Sequence, residues 1–159
     1  MVEPRPQRGV VLVDVATLLA AVSPRGRPVL VHHWASWDTT ATADLPLLVA
    51  LSGGGVDIVG VAWDEFAPAP LGRIAGMAQR PARWAGGAQV EAWVRQVGID
   101  WPTLVFDGEP EALFEALRLA DRWVPQLTLY GADGAVLAHH GGPCAGSASW
   151  ERLVAATRR

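Results

Sequence analysis

Apolar positions in this chain fall into short continuous runs separated by clusters of Pro, Gly and charge. VVLVD at 10–14 is a short β-rich run, and Asp14 stands where it can cap a helix over 15–22, which SPRGRP then breaks. VLVHHW at 29–34 is a near-continuous apolar strand, the kind buried in a parallel or mixed sheet. A helix starting at Thr39 or Thr40 runs to about Ser52, with Pro46 expected to kink it and Gly53, Gly54 and Gly55 ending it. VDIVGVAW at 56–63 is a second buried strand. Residues 64–88 are mainly Pro, Gly, Ala and Arg, with weak helical spacing only around 71–79, and read as an irregular insertion. QVEAWVRQVG at 89–98 is a helix stopped by Gly98, and WPTLVF at 101–106 is a short strand. A helix lies within 107–119, with Pro110 near its first turn. QLTLY at 126–130 and AVLAHH at 135–140 flank Ala132-Asp133-Gly134, a hairpin signal. The last helix is capped by Ser147 or Ser149 and carries Arg in its last turn, which suits the helix dipole. Strands alternate with helices and a hairpin precedes the final helix. This order predicts an α/β fold with a mixed central β-sheet, helices on both faces and an antiparallel edge pair. One domain is expected over 10–159 after a tail at 1–9, with no internal repeat.

Composition narrows the function classes. A chain of 159 residues suffices for one domain with a sizeable core, and 50% hydrophobic against 18% charged residues argues against disorder. The net charge is −3 and no basic run occurs, so nucleic acid is not the expected partner. No apolar stretch approaches the roughly 18 residues of a membrane span. Glu3 and two prolines precede the first apolar run, a poor match to a signal peptide, so a cytoplasmic location is expected. Cys144 is the single cysteine, which rules out an intrachain disulfide and a cysteine zinc cluster. No cofactor is expected.

Four segments carry a family resemblance. WASWDTTA followed by DLPLL (34–48) resembles the active-site segment of thioredoxin-like proteins, most of all the bacterial thiol-disulfide oxidoreductases of the cytochrome c maturation, TlpA-like type. Those carry Trp-Ala-x-Trp, then Cys-x-x-Cys, then an acidic-Leu-Pro-x-Leu helix. DIVGVAWDE (57–65), VGIDWPTLVFDG (97–108) and WVPQLTLYGADGAVLAHHGG (123–142) resemble the family's later segments in order and spacing, and the likeness covers about 10–158. It implies a thioredoxin-like three-layer sandwich. In that alignment the two cysteines fall on Asp38 and Ala41, and the proline between them is replaced by Thr40. Thiol exchange needs a thiolate at the helix start and a second thiol to resolve the mixed disulfide. The resemblance therefore implies the fold without the family's dithiol activity, and no catalytic residue is expected at this position.

The candidate residues follow from that alignment. Asp38 is expected to cap the helix; a capped carboxylate is a weak base. Trp34 is expected in the core. Trp37 is expected beside the groove as an aromatic anchor for a protein partner. The resemblance makes Val124-Pro125 the cis-proline loop, whose backbone pairs with an extended peptide in the family. It places the loop with Gly142 and Cys144 on the same face. Cys144 reads either as a reactive thiol or as a small buried hydrophobe. His32-His33 and His139-His140 are strand neighbours that point to opposite faces, so one of each pair is expected inside, and no simple chelate forms. His32 resembles the family's buried polar residue beneath the active site and is expected either as a satisfied core histidine or as a group titrating near neutral pH. In the insertion, Arg73, Arg80, Arg83 and Trp84 suit protein contact and equally suit a solvated, poorly ordered helix. The reading is a redox-inactive domain that binds a protein partner, as a subunit of a larger complex, through Trp37, Asp38, Val124, Pro125, Gly142, Cys144 and Trp84. Two other readings stand beside it: a single-thiol enzyme using Cys144 with His32 or His140 as base, and a histidine-based metal-binding protein.

Overall fold

The structure, a computed structural model, describes residues 9–64, 83–119 and 121–158. The element order is β1 (Val10–Val13), α1 (Val15–Val22), β2 (Val29–Trp34), α2 (Thr39–Leu51), β3 (Asp57–Ala62), α3 (Arg83–Val97), β4 (Thr103–Phe106), α4 (Pro110–Leu117), β5 (Gln126–Tyr130), β6 (Val136–Gly141) and α5 (Ala148–Thr157). The six strands form one sheet in the order β1-β4-β3-β2-β5-β6. The first four in that order run parallel; β5 is antiparallel to β2, and β6 to β5. This is the α/β mixed sheet that the alternation of elements predicts.

Local chemistry explains the boundaries. Asp14 accepts the Thr17 N–H at 2.8 Å and starts α1. Ser147 accepts the Trp150 N–H and starts α5. Pro110 occupies the first turn of α4, where its missing N–H has no intrahelical partner to lose. α2 runs to Leu51 through Pro46, which gives no N–H to the Thr42 carbonyl. The main difference from expectation is α3. It begins at Arg83 rather than 89, so residues 83–88 of the expected insertion are helical. Residues 65–82, with Arg73 and Arg80, lie outside the described residues, as do the side chains of Arg83 and Trp84.

Alternation along the strands separates two cores. On one face Val29 and Val31 of β2 join Leu18 and Val22 of α1 and Leu113 and Leu117 of α4. On the other, Leu30 joins Leu48 of α2 and Leu153 of α5, while Trp34 joins Ala41, Leu45 and Val90 beneath α2 and α3. Full burial of a leucine such as Leu30 or Leu48 stabilises the fold by about 1.5–3 kcal/mol. Helices cover both faces of the central strand, so every residue of β2 is buried, including both histidines. This corrects the expectation that one of that pair faces outward. The expectation fits the edge strand β6, where His140 is buried and His139 is partly exposed. Among the described residues, no helix is long and apolar enough to cross a membrane.

Candidate functional site

The carboxyl ends of β2 and β3 and the amino end of β5 meet at one end of the sheet, with His33 opposite Gln126 and the Trp63 N–H on the Trp34 carbonyl. The chain leaving β2 is held at successive points. The Ser36 N–H donates to both carboxylate oxygens of Asp64, at 2.8 and 3.1 Å, and its hydroxyl donates to Gln89 Oε1 of α3 at 3.0 Å. Burial raises the Asp64 carboxyl above the usual carboxylate range, against the pull of the Ser36 bonds. Asp38 then caps α2, one carboxylate oxygen accepting the Thr40 N–H at 2.8 Å and the Ala41 N–H at 3.0 Å. Both backbone donors at this helix start are therefore satisfied by the protein itself. Ala41 is fully buried under Trp34 and Leu45. Between the two anchors Trp37 is 43% exposed.

The facing loop is held as firmly. The Val124–Pro125 peptide is cis. Pro125 is buried, so its ring is not offered to a partner; its carbonyl accepts the Gly142 N–H at 2.9 Å. Gln126 Nε2 donates to the carbonyls of Asp121 at 2.8 Å and Trp123 at 2.9 Å. The Asp121 carboxylate meets His139 Nε2 at 2.9 Å, while His139 Nδ1 lies 3.3 Å from Thr128 Oγ1. A Cβ at Gly141 would come within 2.5 Å of that carboxylate, so this contact needs glycine there. The loop leaves Trp123 59% exposed, beside a half-buried Val124. Sequence reading missed Trp123. The only signal was a large aromatic two residues before a proline, outside any periodic run.

Cys144 is not on this surface. Its side chain is fully buried in the core with Leu48 and Leu153. Burial pushes the thiol well above its ordinary range, and the neighbouring Asp44 carboxylate adds to the shift. The accessible thiol is thereby corrected: Cys144 contributes its backbone, donating its N–H to Asp44 at 3.1 and 3.3 Å. Asp44, hidden in the DLPLL motif, is itself buried. Burial raises its carboxyl, and the Cys144 N–H opposes that rise. It ties α2 to the loop after β6. His140 holds the same loop: Nε2 lies 3.0 Å from the carbonyls of both Gly142 and Pro143, and Nδ1 faces Ser149 Oγ. Carbonyls only accept, so Nε2 carries a proton and donates to them. Neither nitrogen is positioned on the thiol as a base.

The other histidine pair lies within the core. His32 stacks nearly parallel to Trp34 at 6.2 Å, with no hydrogen-bond partner on either ring nitrogen. His33 Nδ1 accepts the Trp63 indole N–H at 3.1 Å, which places its own proton on the unpartnered Nε2. Burial lowers the pKa of each to about 3. This corrects the expectation that His32 is a satisfied core histidine or titrates near neutral pH. Among the described residues, no group of three or more His, Cys, Asp or Glu side chains could hold a metal ion. A separate cleft of about 430 Å³, bordered by Arg27, Asp57, Trp101 and Pro102, opens at the opposite end of the sheet.

No protein-family model matches the chain. No curated protein matches it either. Solved structures do. A secreted Mycobacterium tuberculosis disulfide oxidoreductase homologous to E. coli DsbE is 20% identical, with 86% of each chain covered and a TM-score of 0.56. StoA from Bacillus subtilis is 18% identical, with 82% of each chain covered and a TM-score of 0.52. A thioredoxin-related protein from Neisseria meningitidis serogroup B is 14% identical, with 86% of each chain covered and a TM-score of 0.58. The fold is thioredoxin-like. At these identities the likeness carries the fold alone. Within this thioredoxin-like chain one cysteine is present and no Cys-x-x-Cys occurs.

Proposed function

We propose that this thioredoxin-like protein is a redox-inactive binding or assembly subunit, which holds a protein partner at the end of the sheet that carries Trp37. One observation carries the reading. At the start of α2, where the resemblance puts the attacking thiol, the Asp38 carboxylate is occupied in capping and Ala41 is sealed in the core, while Trp37 between two anchored residues stays exposed. A rigid exposed aromatic is a good anchor, because little conformational entropy is lost when it is buried against a partner. Asp38 is its neighbour in the chain, and the reading adds half-buried Val124, Gly142 and Trp84 as further contacts to the partner. The same reading makes the protein a cytoplasmic member of a larger complex, with no cofactor. The single-thiol reading is disfavoured by the burial of Cys144, and the histidine-metal reading by the opposite faces of His32 and His33.

The test is affinity purification of the tagged protein from its host, with and without reductant, using wild type, Cys144→Ser and Trp37→Ala. The expected result is a stoichiometric partner that survives reductant and Cys144→Ser and is lost with Trp37→Ala. A partner released by reductant and by Cys144→Ser would overturn the reading in favour of an active thiol.

A further inference from the structure

The chain entering β5 is held by one buried side chain. Gln126 opens β5 and is fully buried. Its Nε2 carries two hydrogens and donates to two carbonyls of the preceding loop, Asp121 at 2.8 Å and Trp123 at 2.9 Å. Carbonyls only accept, so the amide cannot turn over without losing both bonds. Its Oε1 is buried and, among the described residues, has no hydrogen-bond partner. An unpaired buried acceptor is costly, and a leucine of similar size would avoid that cost. A leucine could not hold the loop.

The loop held in this way reaches the surface. Trp123 is 59% exposed and Val124 is half-buried. β2 and β5 are antiparallel neighbours with His33 opposite Gln126, so the chain leaving β2 and the chain entering β5 lie at one end of the sheet. Trp37 stands on the first and Trp123 on the second. The two stretches are held differently. At Trp37 the backbone is fixed through its own neighbours, Ser36 and Asp38. At Trp123 it is fixed from inside the sheet by Gln126, with the Asp121 carboxylate also meeting His139 Nε2 at 2.9 Å. A surface indole is a strong anchor only when its backbone is already in place, because ordering a loose loop on binding costs affinity.

Resting on the protein-binding reading above, we propose that Trp123 is a second contact to that partner and that Gln126 is its positioning residue. Gln126 acts through the Asp121 and Trp123 carbonyls and, being fully buried, does not itself touch the partner.

Fluorine NMR of the 5-fluorotryptophan protein tests the positioning, with the Trp123 line identified by its loss in Trp123→Phe. Gln126→Leu removes both donors, and Gln126→Glu keeps the length but turns oxygens towards the carbonyls. Each is expected to shift or broaden the Trp123 line. Leu127→Val trims the core on the opposite face of the same strand and is expected to leave that line in place. A merely structural role for Gln126 would lower the melting temperature of all three core variants and leave the Trp123 line unmoved. Affinity purification of the tagged protein tests the contact. Trp123→Ala, Gln126→Leu and Gln126→Glu are each expected to lower the retained partner by about tenfold, while Leu127→Val keeps it. Trp123→Ala, at the surface, decides the contact even where a core variant fails to fold. An unmoved Trp123 line in Gln126→Leu overturns the positioning role, and full retention of the partner by Trp123→Ala overturns the second contact. If Trp37→Ala still loses the partner in either case, the protein-binding reading stands and only this inference falls.

Discussion

Acidification should destabilise this protein through His32 and His33. Both are fully buried on the central strand, and burial lowers each pKa from 6.5 to about 3. The folded state therefore binds protons more weakly than the unfolded chain. The stability is fully present above pH 6.5 and is lost as pH falls from there towards 3. At pH 5, one and a half units below the unfolded value, each histidine costs about 2 kcal/mol. The pair together costs about 4 kcal/mol, a large share of the roughly 5–15 kcal/mol that holds a domain folded. Asp44 and Asp64 have the opposite sign. Their raised pKa values favour the folded state as pH falls, so wild type alone does not isolate the histidines. Substitution does. Urea unfolding followed by circular dichroism at pH 7 and pH 5 should be run on wild type, His32→Leu, His33→Leu and the double variant. Each leucine is expected to remove about 2 kcal/mol of the pH-dependent loss. At pH 7, His32→Leu should be near neutral, because it replaces a ring with two unpartnered nitrogens. His33→Leu should cost about 1 kcal/mol, because it leaves the Trp63 N–H without its acceptor. An unchanged pH dependence in the double variant would refute the argument.

Four further outcomes follow from the same geometry. Native protein should resist alkylation at Cys144 by iodoacetamide and react quickly once unfolded in urea, since the thiol is buried and its ionisation suppressed; rapid native labelling would contradict its placement. Asp44→Leu should destabilise by about 1–3 kcal/mol, because it orphans the buried Cys144 N–H, whereas Asp44→Asn keeps an acceptor and should lose less; equal melting temperatures for the two variants would count against this role. Asp38→Ala should cost about 0.5–2 kcal/mol by removing the α2 cap, measured by chemical denaturation. Asp38→Cys combined with Ala41→Cys should introduce a thiol of lowered pKa at the helix start and measurable reduction of a model disulfide; no gain would mean that this helix start cannot support thiolate chemistry.

Much of the fold is local enough to read along the chain. VLVHHW and VDIVGV become buried strands because continuous β-branched and apolar runs bury well in a sheet covered on both faces. Asp14, Asp38 and Ser147 cap helices because a short acceptor side chain reaches the first free N–H groups whatever the rest of the protein does. The missing thiols at Asp38 and Ala41 were visible as letters. The candidate site needed the tertiary structure, because burial is decided by what packs against a residue. His33 is sealed only because α1 and α4 cover the face of β2 opposite α2 and α5. Cys144 lies in a Gly- and Pro-rich loop that looks exposed in sequence, yet Asp44, a hundred positions earlier, draws its backbone into the core. Trp123 has the opposite history: nothing in its neighbours marks it as exposed until Gln126 fixes the loop carbonyls and leaves the indole outside. Sequence by itself determined the elements, their caps and the loss of the cysteine pair, since these depend on contacts within a few residues. The tertiary structure decided which side chains meet water, because that depends on packing between segments far apart in the chain.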